Sequence, residues 1–141
     1  MDYPDVKTLL PHRFPILLVD KILELDLGHS IKTRFFVDPN LPVFSGHFPE
    51  NPVFPGVYSI ESMTQTGSCL LLADPKHVGK TPLFLGVNNA RFLKPVYPGV
   101  ILELRAKITH IREDKQIYTL EEQALIGNEI AACCEAVVIL K

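Results

Sequence analysis

The chain is 141 residues long, 47% hydrophobic and 21% charged, with a formal net charge of −2. Those values describe one folded domain over residues 1–141, and they exclude a disordered chain and any bulk electrostatic attraction to nucleic acid. The three cysteines, Cys69, Cys133 and Cys134, are odd in number and sit among apolar residues, which fits reduced, buried thiols in a cytoplasmic protein better than a disulfide framework.

The opening "MDYPDVKTLLPHR" has acids at once and no apolar h-region, so it is not read as a secretory signal. No uninterrupted apolar run approaches the length of a membrane span. His12 and Arg13 precede a turn at Pro15 and are assigned to shaping that loop rather than to chemistry. "ILLVDKILEL" and "SIKTRFFV" are expected as two strands joined by a hairpin at "DLGH". "GHFPENPVFPG" follows, in which Pro49, Pro52 and Pro55 fix successive φ values and hold the chain in one irregular shape. "VYSIESMTQTGSCLLLA", Val57 to Ala73, is long enough for a helix and stops before Pro75. Its remaining positions are mostly Ser, Thr, Ala, Cys and Gln, so it belongs inside the structure.

"PLFLGVNNARFL" is a further strand, ended by the turn-rich "KPVYPG". In "VILELRAKITHI", Val100, Leu102, Leu104, Ala106 and Ile108 alternate with Glu103, Arg105, Lys107 and Thr109, the pattern of a sheet with one buried face. "REDKQ" is a turn, and Gly127-Asn128 joins "IYTLEEQALI" to "EIAACCEAVVIL" in a hairpin. One helix covers so long a sheet only if the sheet curls around it. This is the α+β hot-dog architecture, although the pattern alone also admits a generic α+β sandwich.

Within this frame His47 and Glu61 are the candidate chemical groups. His47 is either an ordinary loop histidine or an imidazole held in one place by its rigid surroundings. Glu61 either faces solvent near the positive helix N-terminus or lies in apolar surroundings that favour its protonated form, as a general acid requires. If the helix begins at Gly56, its first free N–H groups can hold a carbonyl oxygen as it gains negative charge. A base, an acid and an oxyanion hole together suit proton abstraction next to a carbonyl. The histidines and cysteines show no metal-ligand spacing, and His29, His77 and His110 are expected in solvent. "GKT" at Gly79–Thr81 fails as a phosphate loop because Asp74 stands where the first glycine is needed, and no dinucleotide fingerprint is present.

"GHFPENPVFPGVYSIESMTQ", with "LLPHRFPILLVDKI", "GVNNARFLKPVYPGV" and the final strands, closely resembles the Z-type 3-hydroxyacyl-[acyl-carrier-protein] dehydratases of bacterial type II fatty acid synthesis over nearly the whole chain. The resemblance implies a cofactor-free hydro-lyase with the hot-dog fold, forming homodimers or trimers of dimers with active sites at the subunit interface. It implies His47 as the base at C2 and Glu61 of the other subunit as the acid at the leaving hydroxyl. It further implies the Gly56 N–H on the thioester carbonyl, the Val53 carbonyl on the imidazole, and Gln65 on the glutamate. The substrate would arrive on the phosphopantetheine arm of acyl carrier protein, with Arg91 and Lys94 as candidate contacts. The chain departs from the family pattern at Ser45, Phe54 and Tyr58. The latter two rings are expected beside the acyl tunnel, where they bear on chain length. A dehydratase for a polyene or polyketide route, an acyl thioesterase using Glu61, and a non-catalytic acyl-binding subunit are the competing readings; retention of both His47 and Glu61 counts against the last.

Overall fold

A computed structural model describes residues 2–141. After a single helical turn, α1 (Val6–Leu9), the elements are β1 (Lys21–Asp26), β2 (Ser30–Phe36), α2 (Gly56–Leu72), β3 (Pro82–Phe92), β4 (Ile101–Arg112), β5 (Ile117–Ile126) and β6 (Glu129–Leu140), with short 3-10 turns at Pro42–Ser45 and Pro75–His77. The six strands form one antiparallel sheet in the order β1-β2-β4-β5-β6-β3. β3 crosses over to pair with β6, which leaves its other side as an open sheet edge.

The helix touches β2 to β6, so the sheet wraps it as the curled arrangement requires. Twelve of its seventeen residues are buried, and small side chains permit the close fit. A Cβ on Gly67 would stand 2.8 Å from Glu122 Oε2 and 3.2 Å from Leu120 Cδ1. Thr33 and Thr66 share a hydrogen bond of 2.8 Å between sheet and helix, a polar pair satisfied inside the core. In β4, Leu102, Leu104 and Ala106 are buried while Arg105 and Lys107 face out, as the alternation requires. Gly127, at φ +60°, turns the β5–β6 hairpin. All three cysteines are unpaired.

Two expectations from the sequence are corrected. Ile16–Asp20 is irregular chain, and β1 begins only at Lys21. The buried backbone there finds helix side chains instead of a neighbouring strand. Gln65 Oε1 accepts from the Leu18 N–H, Gln65 Nε2 donates to the Ile16 carbonyl, and Ser62 Oγ donates to the Leu18 carbonyl, each at 2.7 Å. His77 is not in solvent but 3% exposed. Its Nδ1–H donates to the Leu71 carbonyl, 2.5 Å away, and Nε2 lies 2.9 Å from the Tyr118 hydroxyl. It thereby satisfies one of the orphan carbonyls at the end of α2.

Candidate active site

The proline-rich loop fixes His47 from both sides. The His47 N–H bonds the Val43 carbonyl at 3.0 Å, the Val53 N–H returns to the His47 carbonyl at 3.1 Å, and the Phe54 N–H bonds Val96 O at 2.8 Å. The imidazole Nδ1 lies 2.9 Å from the Val53 carbonyl. A carbonyl only accepts, so Nδ1 carries the hydrogen and Nε2 of the neutral ring keeps a lone pair. Phe48 stacks on the imidazole at a centroid distance of 4.1 Å.

Beside this loop α2 begins. The Tyr58 and Ser59 N–H groups close onto the Pro55 carbonyl, leaving the Gly56 and Val57 N–H groups as free first-turn donors. Gly56 and Val57 line a cavity of about 440 Å³ with Val53, Phe54, Phe92 and Lys94. Phe92 lies so close over Gly56 that a Cβ there would stand 2.8 Å from its ring. Phe54 is 2% exposed and packs with Phe35 and Phe44. Tyr58 meets Phe54 edge-on at 5.7 Å, and of the two rings Phe54 lines this cavity.

Glu61 stands five residues further along α2, about 140° around the helix axis from Gly56. It borders a separate cavity of about 150 Å³, with His12, Thr64, Leu83 and Phe84. Its Oε2 accepts from Gln65 Nε2 at 2.8 Å and faces His12 Nε2 at 3.5 Å. Glu61 is therefore not a lone acid in apolar surroundings, since two polar partners meet it. Within one chain His47 and Glu61 share no contact. His47 sits beside the cavity at the Phe92 end of β3, and Glu61 beside the cavity at its Pro82 end.

Arg91 and Lys94 are exposed. Lys94 pairs with Glu129 at the rim of the Phe92 cavity, whereas Arg91 borders a broad groove elsewhere on the sheet. Two residues near Glu61 escaped the sequence reading. Arg13 does shape its loop, donating to the carbonyls of Lys7, Leu10 and His12, but its neighbour His12 turns toward Glu61. Glu122, behind Thr64, is 1% exposed, and burial pushes its carboxyl up to about 8. The period of β5 already places Glu122 on the inward face between Leu120 and Ala124.

Residues 10–135 match the family model described as a FabA-like domain. Among solved structures, the dehydratase heterocomplex ApeI:P from Xenorhabdus doucetiae superposes with a TM-score of 0.85 at 16% identity, covering 99% of this chain and 93% of that one. A putative thioesterase from Ralstonia eutropha JMP134 superposes at 0.63 with 17% identity, over 83% and 81% of the two chains. These likenesses establish the hot-dog fold. Two curated relatives narrow the class, both named 3-hydroxyacyl-[acyl-carrier-protein] dehydratase FabZ. That of Natranaerobius thermophilus is 40% identical over 93% of this chain and 91% of its own length. That of Symbiobacterium thermophilum is 41% identical over 88% and 86%. The chain belongs to the 3-hydroxyacyl-[acyl-carrier-protein] dehydratase FabZ family.

Proposed function

We propose that the protein converts (3R)-hydroxyacyl-[acyl-carrier-protein] to the trans-2-enoyl thioester in fatty acid elongation, within the cytoplasm. The observation that carries this reading is the His47 imidazole pinned on Val53, which lines one cavity with the free N–H donors of Gly56 and Val57. His47 Nε2 takes the proton from C2, made acidic by the thioester carbonyl, whose oxygen rests on the Gly56 N–H. The C3 hydroxyl leaves as water with a proton from Glu61. Carbon loses one proton and one hydroxide, so the step is redox-neutral and requires no cofactor beyond the phosphopantetheine arm of the substrate.

The acid comes from a second copy of the chain. A second copy pairing antiparallel along the open β3 edge would set the Pro82 end of one strand beside the Phe92 end of the other. With the Glu61 cavity at the Pro82 end and the His47 loop at the Phe92 end, such a homodimer would hold two shared sites. Lys94, at the mouth of the Phe92 cavity, suits the acidic surface of a carrier protein, with Arg91 three residues earlier near the end of β3. Phe54 limits the depth available to the acyl chain.

The test follows short and medium (3R)-hydroxyacyl carrier-protein thioesters by mass, with wild type, His47→Ala and Glu61→Gln. Loss of water that disappears in both variants supports the assignment. Release of free acid moves the protein to the thioesterases, and no turnover of either substrate rejects the elongation reading.

A further inference from the structure

The dehydration chemistry leaves a buried carboxyl, Glu122, unused. Glu122 projects inward from β5 against α2. Its Oε1 accepts from Thr64 Oγ1 at 2.7 Å and from Cys134 Sγ at 3.5 Å. Its Oε2 is buried without a hydrogen-bond partner, in the space that Gly67 leaves open by having no side chain. Thr64 is three residues beyond Glu61, adjoins Gln65, and lines the same small cavity as both. The buried carboxyl therefore grips the helical turn that presents the acid and its hydrogen-bonding amide.

We propose that Glu122 is a positioning residue of the dehydration site: as a neutral carboxylic acid it seats, through Thr64, the turn of α2 that carries Glu61 and Gln65, and its ionisation unseats that turn. The inference rests on the dehydratase reading above. The groups facing Glu122 explain the sign. From α2 come Glu61, whose charge opposes a second one, and the neutral Thr64 and Gly67; from β6 comes Cys134, whose thiol burial pushes up; β4 presents Ala106 at the paired position. Among the described residues no lysine, arginine or histidine lies within ion-pair distance of it. An ionised Glu122 would lie beside Gly67 of α2 without a counter-charge, and a buried unpaired charge is costly unless the packing around it loosens.

The experiment measures kcat and KM from pH 6 to 9 on a (3R)-hydroxybutyryl carrier-protein thioester for wild type, Glu122→Gln, Glu122→Ala and Thr64→Val. Melting curves of the same proteins at pH 7 and 9 require no turnover. Glutamine reproduces the shape and neutrality of the protonated acid. At pH 7 kcat falls about tenfold in Glu122→Ala and Thr64→Val with KM little changed, and Glu122→Gln restores it. At pH 9 wild type loses about tenfold relative to Glu122→Gln, as one pH unit above a titration midpoint near 8 requires. Parallel decline of wild type and Glu122→Gln overturns the proposal, as does Glu122→Gln as impaired as Glu122→Ala. An inactive wild type overturns the dehydratase reading instead. The melts then still decide whether Glu122 is a neutral strut, since a wild-type loss between pH 7 and 9 that Glu122→Gln lacks requires it.

Discussion

At His47 the two ring nitrogens have different surroundings, one spent on the Val53 carbonyl and the other free. Removing the ring in His47→Ala should lower dehydration by about 10²–10⁴-fold while circular dichroism shows an unchanged fold, because the loop is held mainly by its backbone bonds. His12 Nε2 faces the same Glu61 oxygen, Oε2, that accepts from Gln65. His12→Ala should therefore lower kcat by about tenfold with KM little changed, since its partner acts on the leaving group rather than on binding. Steady-state kinetics on a single acyl chain length separates these outcomes. His47 and Glu61 were legible in the sequence because rigid loop residues and a small-sided helix frame them. His12 was not, since its approach to Glu61 depends on how an irregular segment folds onto α2. Glu122 was legible in principle, but an acid within a strand ordinarily reads as an outward residue.

Helix α2 lies where the sequence placed it, and β2, β4, β5 and β6 follow their alternation, whereas β3 is exposed along nearly its whole length. The miss at Ile16–Asp20 has a specific cause. An apolar run reads as a strand whether its backbone is satisfied by a neighbouring strand or by side chains, and here Gln65 and Ser62 supply the bonds. His77 misled for a similar reason, since a polar residue in a turn is buried when a helix end needs its hydrogen bond. Gly67 is a tight point between helix and sheet. Gly67→Ala should cost about 1–3 kcal/mol, the usual penalty for overpacking, read as a lowered urea midpoint. β3, like β1 at the opposite end of the sheet, has an unpaired outer edge. It exposes Leu83, Phe84, Leu85 and Val87, and a long, apolar free edge invites another strand. The double variant Leu83→Glu, Leu85→Glu should sediment as a monomer and lose turnover together with the dimer.

For the whole molecule, stability should depend on pH through Glu122. Its folded pKa lies near 8 against an ordinary 4.5, so the folded state keeps a proton that the unfolded chain sheds. The contribution is complete below about 4.5, is lost steadily as pH rises toward 8, and stays absent above it. Calorimetry should show Glu122→Gln melting above wild type by a margin that grows across that interval and then stays constant. The separation of His47 and Glu61 on opposite ends of β3 also has a genetic consequence. Two inactive variants, His47→Ala and Glu61→Gln, should rescue each other when co-expressed. In the proposed shared-site dimer each mixed pair holds one site with both defects and one with neither, so random assortment should return about a quarter of the wild-type turnover. Mutual rescue of this kind is open only to a protein whose two reacting groups belong to different chains.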